Sequence, residues 1–320
     1  MKAVVVEKYG DPDVLTLVDI PEPHAGQGEV RIRVYAAAVN PADRMFRAGD
    51  LDARLTSDVP RPLRPGMDAA GVIDQVGIGT DTNLQCGDRV MAMVNPIDKS
   101  GGAYAEYVVL PAAQVVRAPA DTDHVHAATV PMSGLTARRA LDLLALPAGS
   151  WVAVTGAAGA VGGYAVELAR VDGLHVIADA APKDTELVRM LGAEVVIERG
   201  DGVAQRIRQA LPQGVDAAID AAVLGWQIEP VIRPGGQLAV VRRAGQPGVA
   251  PLSGRADLYV RDVRVPDYQL ANDKLSQLSA LAEQGRISMR VADVFDASRA
   301  ADAHHRLEAG GVRGRLVLTF

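Results

Sequence analysis

Cysteine is nearly missing from this chain of 320 residues, in which Cys86 is the only example. A single thiol excludes a disulfide framework within the chain, and with it the small secreted folds that depend on one. Runs of Lys or Arg are also missing and the formal net charge is −6, which argues against nucleic acid or an anionic membrane as a partner. We therefore expect small-molecule ligands. Because Glu7 and Lys8 come before a signal-peptide core is complete, we expect a cytoplasmic protein.

Charged residues are absent between Asp142 and Glu167, over a length that could span a bilayer. Pro147 and several glycines interrupt this stretch and no basic flank marks an orientation, so the sequence disfavours a membrane span. Apolar residues make up 48% of the chain, which at this length is enough to bury the cores of two domains. The expectation is a soluble, globular protein.

A glycine-rich turn follows the apolar strand predicted over residues 151–155 and precedes a segment compatible with a helix. Its pattern is G-x-G-x-x-G with alanine at the first glycine. Small residues allow the backbone to approach a pyrophosphate, whose charge is stabilised by the N–H groups at the start of the following helix. The turn therefore predicts a dinucleotide site formed by Gly156, Ala157, Ala158, Gly159, Ala160, Val161 and Gly162.

A second strand-like segment, residues 174–178, leads into Asp179. An acidic residue at this place accepts hydrogen bonds from the adenosine ribose, and its charge favours NADH over the 2′-phosphate of NADPH. The turn of the short-chain dehydrogenases is a competing interpretation, but Ala160 stands where that turn has its second glycine. No Tyr in the chain is followed four residues later by Lys, so the catalytic pair of that family is missing.

The remaining pattern predicts an α/β protein with two kinds of domain. Strand-like runs at residues 3–6, 30–39, 71–76, 89–94 and 104–110 indicate an antiparallel β domain. From about residue 122, helices and strands alternate, beginning with a helix at 127–144, and this predicts a doubly wound parallel sheet. The helices at 273–284 and 300–308 and the strand at 315–320 have no βα partner left, so we expect them to return to the first domain.

Short motifs, specific in their order and spacing, carry a resemblance to a known family. They are Asn40-Pro41-Ala42-Asp43, Pro65-Gly66-Met67-Asp68, Gly102-Ala103-Tyr104, Gly134-Leu135-Thr136 and Gly314-Arg315-Leu316. Together they resemble the zinc-independent quinone oxidoreductases of the medium-chain dehydrogenase/reductase superfamily, which include zeta-crystallin. The resemblance implies a GroES-like domain at 1–121 and 268–320 and a Rossmann-type domain at 122–267. It also implies a homodimer, for which the strand-like residues 262–265 offer an open sheet edge.

The resemblance also implies roles for individual residues. Asn40, Asp43 and Thr136 are expected to line the reaction site, with Asn40 and Thr136 as hydrogen-bonding groups near the nicotinamide or the acceptor. Val240 and Arg315 are added to the cofactor site. Lys183 lies where relatives often hold the 2′-phosphate of NADPH, although a solvated lysine at the start of a helix explains it equally well. Both NADP and NAD therefore remain open as cofactors.

Zinc ligands are missing where zinc-dependent relatives have them. Asn40 replaces their cysteine and Met67 replaces their histidine. No histidine set offers another catalytic zinc site, which needs three protein ligands and an open position. The adjacent residues His304 and His305 are expected on the surface of a helix.

Without a Lewis acid, the expected reaction is hydride transfer from the nicotinamide to an acceptor that is already electrophilic. A quinone is the first expectation. An enone or enal reduced at its double bond is the alternative on the same scaffold. A nucleotide-binding protein without turnover, with a structural or regulatory role, is the alternative from another class.

Overall fold

The computed structural model describes residues 1–242, 246 and 248–320, and these form two compact units. The first unit comprises Met1–Met132, Pro266–Glu283 and Met289–Phe320, and the second comprises Ser133–Val265 and Gln284–Ser288. The C-terminal elements thus return to the first unit. The prediction began the nucleotide domain at residue 122 and ended it at 267, whereas this division begins the second unit at Ser133.

The first unit contains a sheet with the strand order β14-β15-β3-β4-β5-β7, and β6 pairs with β3. All its pairings are antiparallel except that of β14 with β15, while β1 and β2 form a separate hairpin. Val30, Ile32 and Val34 alternate with more exposed residues along β3 and enter the core, as expected for a strand with one buried face. The strands of the first unit are β1 (Lys2–Val6), β2 (Leu15–Asp19), β3 (Glu29–Ala38), β4 (Asp68–Val76), β5 (Arg89–Met93), β6 (Tyr107–Pro111), β7 (Val115–Arg117), β14 (Val291–Asp296) and β15 (Arg315–Thr319).

The helices of the first unit lie between these strands. They are α1 (Pro41–Ala48), α2 (His124–Ala127), α7 (Asn272–Glu283) and α8 (Ala300–Glu308). The helix α1 begins with Pro41, whose missing N–H costs nothing in the first turn, and it ends at Gly49 in the left-handed conformation.

The second unit is built on a parallel sheet with the strand order β10-β9-β8-β11-β12-β13. Val152 and Ile177 lie in its central strands and are buried, as expected for strands covered on both faces. Its strands are β8 (Trp151–Thr155), β9 (His175–Ala180), β10 (Val195–Glu198), β11 (Val215–Asp220), β12 (Ile232–Val240) and β13 (Tyr259–Asp262). Its helices are α3 (Pro131–Leu144, which begins two residues before the division), α4 (Ala160–Val171), α5 (Thr185–Leu191) and α6 (Val203–Ala210).

Three predicted elements differ from the structure. The helix predicted at 127–144 is divided into α2 and α3, because Pro131 lacks an N–H and begins a new helix. The strand predicted at 104–110 begins at Tyr107, since the preceding residues bond elsewhere, with the Tyr104 carbonyl accepting from the Val4 N–H. The strand-like residues 262–265 lie at and beyond the end of β13.

The uncharged stretch before Glu167 is shared by the end of α3, the strand β8 and the first part of α4. Within the described part of the chain, no helix has the length and hydropathy of a membrane span.

Candidate functional site

The glycine-rich turn connects the end of β8 to the start of α4. Gly156 has φ +65°, a conformation that favours glycine, and Gly159 is the N-cap residue of α4. A Cβ atom on Gly162 would lie 2.3 Å from the Gly156 carbonyl oxygen, so this helix turn packs on the strand only without a side chain. This supports the role predicted for Gly162, which is to let the helix approach closely.

The exposed side of the turn fits a pyrophosphate. Gly159, Ala160 and Val161 are half-buried, and the N-cap residue Gly159 has no side chain of its own that could cap α4. The only atom within 4 Å of a Cβ built on Gly159, among the described residues, is the Gly156 carbonyl oxygen at 3.1 Å. Small residues and the N-terminus of a helix of this length provide N–H groups and a positive dipole end for a bound anion.

Asp179 is the neighbour of this turn, but its carboxylate faces the turn itself. The residue lies inside β9, is 5% exposed, and accepts a hydrogen bond from the Gly156 N–H at 2.6 Å through Oδ1. Burial raises the pKa of Asp179, while the N–H groups of Gly156 and Ala157 and the charge of Arg199 oppose this rise. The sequence did not predict this bond, which holds the glycine-rich turn against the second strand.

Other predicted cofactor residues lie at the same edge of the parallel sheet. Val240 ends β12, and exposed Lys183 lies in the short turn after β9. Asp220, which the sequence did not single out, is paired in register with Val240 on one side and with Thr155 on the other. Its Oδ1 accepts from the Thr155 hydroxyl at 2.7 Å and its Oδ2 from the Gly225 N–H at 2.8 Å. Thr136 lies on α3 and is 5% exposed.

In the first unit, Asn40, Asp68 and Arg315 form one buried hydrogen-bonded cluster. The Asn40 Nδ2 donates to Asp68 Oδ2 at 2.9 Å and to the Ala38 carbonyl at 3.1 Å. The Arg315 Nη2 donates to Asn40 Oδ1 at 2.6 Å and to Asp68 Oδ2 at 2.8 Å. The other carboxylate oxygen of Asp68 accepts from the Met132 N–H at 2.6 Å. Both oxygens of Asp68 and the whole amide of Asn40 are therefore occupied by the protein.

Asp43 belongs to a second buried cluster beside the first. Its Oδ2 accepts from the Asn40 N–H at 2.9 Å, and its Oδ1 accepts from the Gly66 N–H at 2.8 Å. The Tyr104 hydroxyl lies 3.3 Å from Asp43 Oδ2 and 3.3 Å from His304 Nε2. Burial raises the pKa of Asp43 to about 6, although the two N–H bonds oppose the rise.

His304 corrects one expectation from the sequence. The residue is 0% exposed, because it lies on the face of α8 that also buries Ala300 and Ala303. His305, one position further and about 100° around the helix, has a half-exposed side chain and contacts Asp13. Burial lowers the pKa of His304 to about 3, so its imidazole is neutral near pH 7.

Comparisons with known proteins agree with this geometry. A family model described as an alcohol dehydrogenase GroES-like domain matches residues 26–120, and one described as a zinc-binding dehydrogenase matches residues 191–318. A quinone oxidoreductase of Pseudomonas aeruginosa is 30% identical over 99% of this chain and 99% of its own. The chain belongs to the quinone oxidoreductases of the medium-chain dehydrogenase/reductase superfamily. The resemblance stated from the sequence motifs is thereby confirmed.

Two further comparisons within the superfamily bear on chemistry. An NADPH-dependent alkenal/one oxidoreductase from the chloroplast of Arabidopsis thaliana is 31% identical over 99% of this chain and 79% of its own. The structure of a mycobacterial protein complexed with NADPH has a TM-score of 0.86 and 27% identity, and the match covers 100% of both chains. The GroES-like and Rossmann-type assignment of the two units follows from these matches.

One matching family model is named for zinc, and a catalytic zinc requires three protein ligands such as Cys, His, Asp or Glu. The Asn40 amide is hydrogen-bonded to Asp68 and Arg315. Met67 is buried, and its side chain offers only a thioether sulfur. Among the described residues, no three His, Cys, Asp or Glu side chains lie together as a metal site would need. The residues at the position of the catalytic zinc therefore do not fit the ion.

Sequence reasoning did not single out several buried polar residues, because their side chains form hydrogen bonds within the protein. Asp68 and Tyr104 lie inside the motifs that carry the family resemblance. For Asp68 the available signal was a charged residue at the start of the apolar strand β4, where the structure buries it. For His304 the signal was its position four residues after Ala300 on an otherwise apolar helix face.

The glycine turn predicts different outcomes for two valine substitutions. Gly159→Val should fold and lose dinucleotide binding by at least tenfold, because its branched side chain would fill the open side of the turn. Gly162→Val should unfold the second unit, because its Cβ would overlap the Gly156 carbonyl. Titration of nucleotide fluorescence and far-ultraviolet circular dichroism separate these two effects. Unchanged affinity in folded Gly159→Val would place the dinucleotide elsewhere.

The raised pKa of Asp43 predicts that the free energy of unfolding depends on pH. Its folded pKa of about 6 lies above the ordinary value of 3.8 for an aspartate, so the native state holds a proton that the unfolded chain releases. The proton on Asp43 therefore stabilises the folded state fully below pH 3.8. This stabilisation, about 3 kcal/mol, is lost as pH rises through about 6. Urea unfolding of wild type and Asp43→Asn from pH 4 to 7 should show this fall in wild type alone. Exposed Asp19→Asn, the matched control, should behave as wild type.

Proposed function

We propose that this protein is an NAD(P)H-dependent quinone oxidoreductase that works without zinc. The observation that carries the proposal is the Asn40 amide held between Asp68 and Arg315. Where zinc-dependent relatives place a metal ligand, this chain has a hydrogen-bonded ion pair with no donor left for a metal. Acceptors that need no Lewis acid, of which quinones are the foremost, match such a site.

The chain's own residues would bind and position rather than react. The bound nicotinamide cofactor would supply the hydride. The turn from Gly156 to Gly162 would hold its pyrophosphate, and Asp179 and Asp220 would keep the loops at this sheet edge in place. Asn40 and Asp43 are 0% exposed, so we assign both as positioning residues that fix the start of α1. Thr136, at 5% exposure, is the residue of the predicted set that we propose to contact the nicotinamide or the acceptor.

Reduction of an enone or enal at its double bond is the second candidate. It is favoured by the similarity to the Arabidopsis alkenal/one oxidoreductase. The same hydride position serves both reactions, and the difference lies in where the acceptor carbon is held.

The two reactions predict different acceptors in one assay. Oxidation of NADPH and NADH should be followed by absorbance with para-benzoquinones, phenanthrenequinone and trans-2-alkenals, in the presence of a chelator. We expect quinone turnover that the chelator leaves unchanged, because no zinc takes part. Gly159→Val is the control for reduction that does not involve the bound cofactor. Turnover of alkenals alone would select the second candidate, and cofactor binding without turnover would support the non-catalytic alternative.

We propose NADPH as the preferred cofactor. The carboxylate of Asp179 accepts the Gly156 N–H, so part of its charge is already compensated by the turn. Two exposed cations, Lys183 after β9 and Arg199 after β10, lie at the carboxyl ends of neighbouring parallel strands. The Arg199 N–H donates to the Ala180 carbonyl, which holds these two strand ends together. Such a pair of cations suits a 2′-phosphate.

Variants of these residues should separate the two cofactors. Lys183→Ala should lower kcat/KM for NADPH about tenfold and leave that for NADH unchanged, since about 1.4 kcal/mol of phosphate contact is lost. Asp179→Asn should lower both values together, because it weakens the turn that both cofactors use. Exposed Arg189→Ala removes a charge from α5 and is the matched control. A wild-type preference for NADH would contradict the proposal.

We propose a cytoplasmic homodimer. The strand β13 is the edge of the parallel sheet, and its Tyr259 and Val260 are 60% and 40% exposed. An exposed edge with apolar side chains favours pairing with a second copy across a two-fold axis. The single cysteine, Cys86, is exposed and suits a reducing compartment.

The proposed dimer predicts the mass in solution. Sedimentation equilibrium should give twice the mass of the chain for wild type. Tyr259→Asp should shift the equilibrium toward the monomer, because each interface would gain two like charges. Met190→Asp is the control, since Met190 is an exposed apolar residue on α5. A monomeric wild type would contradict this proposal.

A further inference from the structure

A cavity of about 420 Å³ lies wholly within the first unit. Its apolar wall includes Ile20, Pro62 and Val109, and its charged side chains include Arg61, Arg64 and Lys99. Asn40 and Asp68, the residues of the zinc-like position, do not line it. The function proposed above therefore leaves this cavity without a role.

Arg64 is a buried cation without a counterion. The residue is 7% exposed, and its Nη2 donates to the Ser100 carbonyl. Its buried Nε has no hydrogen-bond partner, and none of the described carboxylates forms an ion pair with its guanidinium. Burial lowers the pKa of Arg64, and no neighbouring charge opposes this effect. An uncompensated buried charge is unfavourable, and a bound anion would offset this cost.

The backbone holds this guanidinium in place. The Gly102 N–H donates to the Arg64 carbonyl at 3.1 Å, and the Tyr104 N–H donates to the Pro65 carbonyl at 3.0 Å. Gly101 has φ +63°, and a Cβ there would lie 2.6 Å from Arg64 Nη2. The turn before Tyr104 thus requires glycine at the place where the guanidinium packs. Arg64 is fixed before any ligand arrives, which lowers the entropic cost of binding.

The other charges of the cavity leave a net positive site. Lys99 Nζ pairs with Glu29 Oε1 at 2.8 Å, so these two charges largely cancel. Exposed Arg61 contacts the Tyr9 hydroxyl and lines the cavity next to Pro62. Arg64 and Arg61 therefore determine the charge that a ligand meets. The cavity has a larger volume than a simple inorganic anion would fill. Its apolar wall also offers contacts that such an anion would not use.

We propose that this cavity is a binding site for a small organic anion, whose carboxylate pairs with Arg64 and whose apolar body packs on Ile20, Pro62 and Val109. The planar guanidinium matches a carboxylate with two parallel N–H donors. This site is independent of the dinucleotide turn and of the proposed oxidoreductase activity. It belongs to the GroES-like unit alone.

Calorimetric titration of the full chain with benzoate, benzamide and inorganic phosphate tests the site. Benzoate should bind at least tenfold more tightly than benzamide, its neutral analogue of the same shape, because the pairing requires charge. It should also bind more tightly than phosphate, because the apolar wall adds contact. Saturating NADPH should leave the benzoate affinity unchanged. Equal binding of benzoate and benzamide, tighter binding of phosphate, or loss of benzoate binding with NADPH would overturn the proposal.

Substitutions assign the binding to the cavity. Arg64→Met should abolish benzoate binding without lowering the Tm, since it removes an unpaired buried cation. Arg54→Met is the matched control, because Arg54 is exposed and outside the cavity. If Arg64→Met does not fold, Arg64→Lys and exposed Arg61→Met replace it, and each should weaken benzoate by about tenfold. Wild-type affinity in the folded Arg64 variant, or in both replacement variants, would place the anion elsewhere.

Discussion

The first unit depends on the hydrogen bonds and the ion pair that the buried carboxylate of Asp68 makes. It accepts the Asn40 amide, the Arg315 guanidinium and the Met132 N–H at once. These bonds connect the end of β3, the start of β4 and the start of β15, which come from both ends of the chain. Removing one partner of such a buried pair costs about 3–5 kcal/mol, because the other charge stays buried. The cluster therefore reinforces the pairing of β15 with β3, which joins the two chain ends in one domain.

The second unit uses buried carboxylates for a comparable purpose. Asp179 lies near the end of one parallel strand and Asp220 at the end of another, and each accepts backbone N–H groups of an adjoining loop. A loop at the carboxyl edge of a sheet has few backbone partners of its own, so these bonds set its shape. The glycine-rich turn is thus held by Asp179, a side chain that the family pattern would assign to the ribose.

Asn40 and Met67, which stand where the resemblance places zinc ligands in other relatives, lie in or beside a hydrogen-bonded cluster. Asn40 and Met67 offer no anionic donors, and Arg315 supplies the positive charge that Asp68 requires. The nearby set of Asp43, Tyr104 and His304 is buried and nearly closed to solvent. Among the described residues, neither cluster brings together a set of ligands that a metal ion would need.

The sequence by itself determined most of the helices and strands and the place of the glycine-rich turn. Period-two alternation in β3, apolar parallel strands and the spacing of small residues from Gly156 to Gly162 are local properties, so they could be read from the chain. The family motifs supplied the two-domain arrangement. Pro131 marked a helix start that a purely periodic interpretation overlooked, although its signal was also local.

Only the tertiary structure decided where the polar side chains of the site point. Asp179 turns to Gly156, and Asn40 turns to Asp68 and Arg315, whose positions in sequence are far apart. The spacing of His304 from Ala300 indicated a buried helix face, but only the folded domain shows that Tyr104 is the residue His304 meets there. Arg64 lacks a counterion for the same kind of reason, since the carboxylates near it in space are set by the fold. Hydrogen bonds between distant residues depend on which surfaces pack together, and that information is not carried by any single stretch of the chain.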